Sequence, residues 1–284
     1  MQKIVRTNTG QSILKQNVRG DLEYLTFPAL ENIDFVRHLF TTRTGGVSTG
    51  DCATMNLSFS RGDDPEAVRE NYRRICAVLQ AVPEDVVASV QTHTTNICLV
   101  TEEDRGKGVL RPQDYQDVDG LVTAQPGVVL ACFFADCVPL YFVDPVKRVI
   151  GLAHSGWRGT VNHMGACMVR KLQDTFGCDP GDLIAAIGPS ICRDCYEVSE
   201  DVAREFESAF PGTEVVTAGK TGGKYQLDLW LANRLILNRA GILEDHISVT
   251  DVCTCHNPDS LFSHRASQGK RGNLAAFLMI DKER

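Results

Sequence analysis

Val128-Val129-Leu130-Ala131-Cys132-Phe133-Phe134-Ala135, followed by Asp136-Cys137 and then by Val138-Pro139-Leu140-Tyr141-Phe142-Val143, is the stretch that decides the architecture. Neither apolar run alternates cleanly with polar residues. A strand with one wet face alternates, whereas a strand covered on both faces reads as a continuous apolar run. Two such runs in succession therefore predict a layered α/β fold, with mixed central sheets flanked by helices.

The surrounding sequence supplies the other layers. Short β-branched and aromatic runs at 86–90, 96–101, 120–123, 128–135, 139–143 and 149–153 are separated by Gly, Pro or Asp turns and predict a sheet-rich centre. Asp64-Pro65 reads as an N-cap followed by proline at the first helical position. Val68, Tyr72, Ile75, Cys76 and Leu79 then recur at helical spacing, which predicts an amphipathic helix over 65–81. Further helices are expected over 159–176, stopped by Gly177, and over 227–240, stopped by Gly241. With no Gly, Ser or Pro-rich linker and no internal repeat, residues 1–284 are expected to form a single catalytic domain.

Composition narrows the function. The net charge of -7 gives no basic footprint for a nucleic-acid backbone, so small molecules are the expected ligands. The eleven cysteines are an odd number and lie scattered through apolar segments, the pattern of a reduced, cytoplasmic protein and not of a disulfide framework. Residues 1–20 lack the apolar core of a secretory signal. The longest apolar run, 128–135, is far short of the roughly 20 residues that span a bilayer. No membrane role and no protein partner is expected.

Three short segments carry side chains suited to a soft divalent metal: His93 in Gln91-Thr92-His93, Cys137 in Ala135-Asp136-Cys137, and His154 at the start of His154-Ser155-Gly156-Trp157-Arg158-Gly159. Two imidazoles and one thiolate suggest one zinc. Three protein ligands leave a fourth position for water or substrate, the pattern of catalytic sites and not of closed structural ones. His93 is expected to close a strand, Cys137 to sit between two strands and His154 to end another, all at one sheet edge. Taken singly, each has a blander reading: a cysteine between apolar strands is usually an inert small hydrophobe, and a lone histidine is usually hydrogen-bonded scaffolding. In an extended chain Gln91 would share a face with His93, and Asp136 would point away from Cys137 into a supporting role. Cys192-Arg193-Asp194-Cys195 and Cys253-Thr254-Cys255-His256 form a conceivable second zinc site, but the one-residue gap between Cys253 and Cys255 argues against it.

The ordered set Thr41-Thr42-Arg43-Thr44-Gly45-Gly46-Val47-Ser48, Met55-Asn56-Leu57, Gly62-Asp63-Asp64, Gln91-Thr92-His93, Asp119-Gly120-Leu121-Val122-Thr123, Ala135-Asp136-Cys137-Val138-Pro139, the segment 153–159 and Ile187-Gly188-Pro189 resembles the YfiH-like, laccase-domain family. The resemblance runs from about Phe40 to Ile280 and departs from the family's usual pattern at Ser155, where Ala is common, and at Ser263-His264-Arg265, where Ser-Tyr-Arg is usual.

The resemblance implies a YfiH-like fold with zinc on His93, Cys137 and His154. It further implies phosphorolysis of adenosine, inosine and methylthioadenosine, with a side activity as adenosine deaminase. Purine nucleosides and phosphate are then the expected partners. For the phosphate, Arg43 beside Gly45-Gly46 and Arg158 at the entrance of a helix are the candidate binders. Asn56, Gln91 and Asp136 join Arg43 as candidate catalytic residues. The family's older description as multicopper polyphenol oxidases makes a copper oxidase one alternative, although Cu2+ outcompetes zinc for nitrogen and sulfur ligands in vitro whatever the cell supplies. Editing of peptidoglycan precursors is another. A metal-free hydrolase with Cys137 as nucleophile and His154 as base is a third.

Overall fold

Successive residues of the central strands face two different hydrophobic cores, which is why their sequence shows no polar alternation. In the computed structural model, which describes residues 3–7 and 12–282, two six-stranded sheets lie face to face. The segment 1–20, expected to lack a secretory signal, and the outer limits of the expected domain 1–284 lie partly outside the described residues. The first sheet runs in the order Lys15–Arg19, Leu22–Thr26, Val36–Thr41, Leu274–Ile280, Val129–Phe134, Val86–Ala88. The second runs Ile247–Val249, Ile184–Ile187, Val138–Asp144, Val149–Ser155, Gly120–Thr123, Ile97–Leu99. A small third sheet joins Glu197–Val198, Tyr225–Leu227 and Val216–Ala218.

Between the large sheets, Leu130, Cys132, Phe134, Ala276 and Leu278 of the first meet Tyr141, Ile150 and Leu152 of the second. The alternate residues Val129, Ala131, Phe277 and Met279 turn outward onto Tyr72, Ile75 and Leu79 of the helix Pro65–Leu79. On the other side Leu140, Phe142 and Ala153 pack against Met164, Met168 and Leu172 of Met164–Phe176 and Ile236 and Leu237 of Leu229–Arg239. The layers are therefore helix, sheet, sheet, helices, as the apolar runs require.

Several boundaries differ from the sequence expectation. The helix expected over 159–176 is two, Trp157–Val161 and Met164–Phe176, because His163 between them adopts a left-handed conformation at φ 59°. The helix expected from 227 begins at Leu229, since Asp228 caps the Leu231 N–H and Leu227 belongs to a strand. Gly177 and Gly241 stop their helices as expected, at φ 68° and 101°. Leu274–Ile280 was not expected, yet it lies inside the first sheet, antiparallel to Val36–Thr41 on one side and Val129–Phe134 on the other. No helix among the described residues is long and apolar enough to cross a membrane.

Two connections matter for the site. The chain passes from the first sheet to the second between Val86–Ala88 and Ile97–Leu99, and again between Val129–Phe134 and Val138–Asp144. Both crossings pass beside the end of Val149–Ser155, since His93 and Cys137, one from each, lie near His154.

Candidate active site

Each crossing contributes one donor and the strand end contributes the third. Cys137 is the last residue of the second crossing, and His154 is the penultimate residue of Val149–Ser155, on the same face as Ile150 and Leu152. His93 does not close a strand: it lies in the loop of the first crossing, with a left-handed φ of 66°. The ligating atoms of His93, Cys137 and His154 all lie within 4.8 Å of one another. His154 is buried, Cys137 half-buried and His93 exposed.

One fully buried carboxylate organises this arrangement. Asp119 accepts hydrogen bonds from the backbone N–H groups of Thr92 (3.1 Å), His93 (3.2 Å) and Thr94 (2.9 Å), which fixes the loop that carries His93. Its Oδ1 also accepts from His154 Nδ1 at 2.7 Å, leaving His154 Nε2 as the free ligating atom. Burial opposes ionisation of Asp119, but the His154 and backbone hydrogen bonds outweigh it and hold its pKa below the ordinary carboxylate value. Burial likewise works against a charged His154, yet Cys137 and Asp119 push its pKa up to about 9. Although the residue is exposed overall, partial desolvation of the His93 ring, and then neighbouring His154, lower its pKa. These opposed shifts in adjacent groups mark a site built around charge.

Gly156 completes the cluster by what it lacks. A Cβ there would stand 2.7 Å from His93 Nδ1 and 3.1 Å from Cys137 Sγ. The space a side chain would fill is the space the donors share. Two nitrogens and one sulfur at this separation, oriented by a buried carboxylate, fit a divalent metal with soft and borderline ligand preference.

The cluster lines a cavity of about 390 Å³, within the range of small-molecule sites. Its wall combines Phe59, Phe133 and Phe134 with Ser58, Ser60, Gln113, Asn273 and Arg271. Burial, and then Arg61, lower the Arg271 pKa to about 10, so the guanidinium stays charged at neutral pH. Its Nη1 donates to the Gly272 carbonyl and to Asn273 Oδ1, whereas its Nε is buried and has no hydrogen-bond partner among the described residues. A charged donor left unsatisfied at the wall of a polar cavity is suited to an anion.

Other residues singled out in the sequence have different surroundings. Arg43 donates through Nε and Nη2 to the Ala53 carbonyl and through Nη1 to the Pro258 carbonyl, and lies 4.6 Å from the Phe262 ring centroid. It does not line the cavity; it ties loops together. Gly45 and Gly46 pack against the backbone of Asp21 and Thr54, where a Cβ would clash, and the Gly46 N–H donates to Thr54 Oγ1. Asn56 is buried, with its amide bonded to Ser58, Asp63 and Asn273. Gln91 lines the cavity, but its amide pairs with the backbone N–H and carbonyl of Phe133, clamping the first crossing to the strand Val129–Phe134. Since the loop is not extended, the same-face argument for Gln91 and His93 does not apply. Asp136 sits at φ 88°, accepting from the Thr254 hydroxyl (2.6 Å) and the Arg265 N–H (2.7 Å). Exposed Arg158 stacks 4.3 Å from the Trp157 ring centroid and contributes to lowering the His93 pKa.

Sequence reasoning passed over Asp119, Gly156 and Arg271. Asp119 heads a quoted motif and Gly156 lies within another, so both were visible but had no assigned partner. Arg271, close to Gly269 and Gly272, carries the same Arg-near-glycine signal that drew attention to Arg43. The one-residue gap between Cys253 and Cys255 argued against a second cluster, yet Cys192, Cys195, Cys253 and His256 come together, without Cys255.

Known proteins share this framework. The chain is 39% identical over 244 residues to purine nucleoside phosphorylase YlmD of Bacillus subtilis (strain 168), covering 84% of this chain and 86% of the relative. It is 32% identical over 268 residues to a purine nucleoside phosphorylase of Bacteroides thetaiotaomicron, covering 94% and 99%. The crystal structure of YlmD from Geobacillus stearothermophilus superimposes with a TM-score of 0.88 at 37% identity, covering 96% of this chain and all of that one. Residues 37–281 match the family described as multi-copper polyphenol oxidoreductase laccase, and the chain belongs to that family.

Proposed function

We propose that this protein is a purine nucleoside phosphorylase whose active site is the cavity between the His93, Cys137 and His154 cluster and Arg271. The observation that carries the reading is this juxtaposition: a three-donor metal cluster and an unsatisfied cationic donor lining one cavity of nucleoside-compatible size. Relatives named purine nucleoside phosphorylase, at 32–39% identity over most of the chain, support the choice of substrate.

In phosphorolysis a phosphate oxygen bonds to the ribose C1 as the bond to the purine nitrogen breaks, and the base leaves as an anion or takes a proton. The site must hold a polyanion next to a sugar while excluding water. Arg271 is the phosphate-holding residue: it lines the cavity, its Nη1 is steadied by the Gly272 carbonyl and Asn273 Oδ1, and its Nε is left without a partner. Phe59, Phe133 and Phe134 offer apolar area for the base, and Ser58, Ser60 and Asn273 offer hydrogen bonds for hydroxyl groups. Arg43, Asn56, Gln91 and Asp136 act as positioning residues, and exposed Arg158 adds positive charge beside the cluster. His93, Cys137 and His154 would hold zinc, which supplies Lewis acidity when bound. A multicopper relay has little support, because of the seven histidines only His93 and His154 belong to this cluster.

One observation favours a second reading. Cys137, His154 and Asp119 stand in the order nucleophile, base and orienting carboxylate, as in a metal-free cysteine hydrolase. His93 counts against it, since such a triad has no use for a third soft donor.

The test is incubation of zinc-quantified protein and its Cys137→Ala variant with adenosine and phosphate, followed by chromatography. Adenine and ribose 1-phosphate from the wild type alone are expected, and inosine would reveal deamination. Absence of turnover by folded, zinc-loaded wild type overturns the reading and favours a cell-wall precursor as substrate. Activity that survives chelation, with covalent trapping at Cys137, selects the hydrolase.

A further inference from the structure

The two turns at 192–195 and 253–256 come from distant parts of the chain and meet through their side chains. Cys192, Cys195, Cys253 and His256 place three sulfurs and one imidazole nitrogen within 4.8 Å of one another. Cys192 Sγ and His256 Nδ1 are 3.9 Å apart. Donors around a tetrahedral zinc, at bond lengths of about 2.3 Å to sulfur and 2.0 Å to nitrogen, stand about 3.5–3.8 Å apart. The cluster is therefore near binding geometry with small side-chain adjustments.

The spacing agrees once the correct partner is read. Cys192 and Cys195 are separated by two residues, and so are Cys253 and His256; the unfavourable one-residue gap involves Cys255, which is not in the set. Each pair lies on a tight turn: Cys195 N–H donates to the Cys192 carbonyl, and the Cys253 carbonyl accepts from the Asn257 side chain. The Cys192 N–H also donates to Cys253 Sγ at 3.3 Å, the kind of contact that favours a thiolate. We propose that Cys192, Cys195, Cys253 and His256 form a structural zinc site, distinct from the His93, Cys137 and His154 cluster.

Four protein donors close a tetrahedral coordination sphere and leave no position for substrate, and none of the four lines the cavity. The position explains what such a site does. The two turns are already joined by the Thr254 N–H to the Ser190 carbonyl, and from them Thr254 Oγ1 and the Ile191 N–H reach Asp136. Arg265, whose N–H also binds Asp136, donates its guanidinium to the Cys195 carbonyl. Zinc here clamps the support of Asp136, the neighbour of Cys137, and so fixes one wall of the active site without entering it.

The test is metal counting by mass spectrometry on protein purified under reducing conditions without chelator. Wild type is expected to hold two equivalents of zinc and Cys137→Ala one. In the Cys137→Ala background, adding Cys253→Ser or His256→Ala should remove the remaining equivalent, whereas Cys255→Ser should keep it. His256 is exposed, so its truncation leaves the core intact and guards against a folding failure at Cys253. Cobalt refilling of Cys137→Ala should give sulfur-to-cobalt charge transfer and tetrahedral d–d bands. A folded Cys137→Ala protein without metal or that spectrum overturns the proposal. So does retention of metal by both cluster variants, or isolation of the cluster as a Cys192–Cys253 disulfide.

Discussion

The two cysteine and histidine clusters use the same chemistry to opposite ends. His93, Cys137 and His154 are three donors lining a cavity, with a glycine where a fourth side chain would intrude. Cys192, Cys195, Cys253 and His256 are four donors between two turns, away from that cavity. Donor count alone separates a centre with room for a reactant from one that can only brace the fold. The surroundings agree, because the open cluster has a buried carboxylate orienting its imidazole and the closed one is tied by backbone hydrogen bonds.

The contrast can be broken most severely at Asp119. Asp119→Asn should weaken zinc binding at the open cluster by about 10- to 100-fold, the usual cost of losing an outer partner of a ligating histidine. Competition titration against a chromophoric chelator reads this, and an equal loss at the closed cluster would contradict the separation of the two.

Arg271→Gln addresses the reactant side. A charge-assisted hydrogen bond of about 1.5–3 kcal/mol should be lost, which raises the KM for phosphate by roughly ten- to a hundredfold. Zinc content should stay the same. Unchanged phosphate dependence in steady-state kinetics would remove Arg271 from the site.

Gly156→Ala tests the shared space. Its Cβ would press on His93 and Cys137, with an overpacking strain of about 1–3 kcal/mol, so zinc affinity at the open cluster should fall by about tenfold. Far-ultraviolet circular dichroism should be unchanged; normal zinc affinity in this variant would show that the donors do not need the gap.

His38 supplies the baseline of a buried histidine outside both clusters. Its ring nitrogen accepts the Phe27 N–H at 2.8 Å, and burial lowers its pKa from 6.5 to about 4, against a smaller opposing effect of Glu31. Below pH 6.5 the unfolded chain takes up a proton that the native ring refuses, so stability is lost as pH falls from about 6.5 to about 4, by at most on the order of 3 kcal/mol. His38→Gln should flatten that part of the stability profile in urea titrations. A profile unchanged by the substitution would show that His38 is not its source.

How much of this was legible beforehand varied with the range of the interactions. The helix Pro65–Leu79 was readable because its cap, proline and apolar stripe are local, and only its last turn was overrun. Leu274–Ile280 was not, because Leu-Ala-Ala-Phe-Leu-Met-Ile has no period of its own that distinguishes strand from helix, and its place comes from pairing with Val36–Thr41 and Val129–Phe134. Arg43 looked like an anion binder from its glycine neighbours, but two distant carbonyls took its donors. Arg271 had the same appearance and kept a free donor.

By itself the sequence determined the layers, since apolar runs without alternation must be covered on both faces, and it determined which residue types were available to bind metal. Only the tertiary structure decided which of them meet. Two chain crossings bring His93 and Cys137 to the end of the strand carrying His154, and two turns bring Cys192 and Cys195 to Cys253 and His256. Local patterning reflects what each segment buries, whereas a binding site depends on distances between segments that only the packed chain fixes.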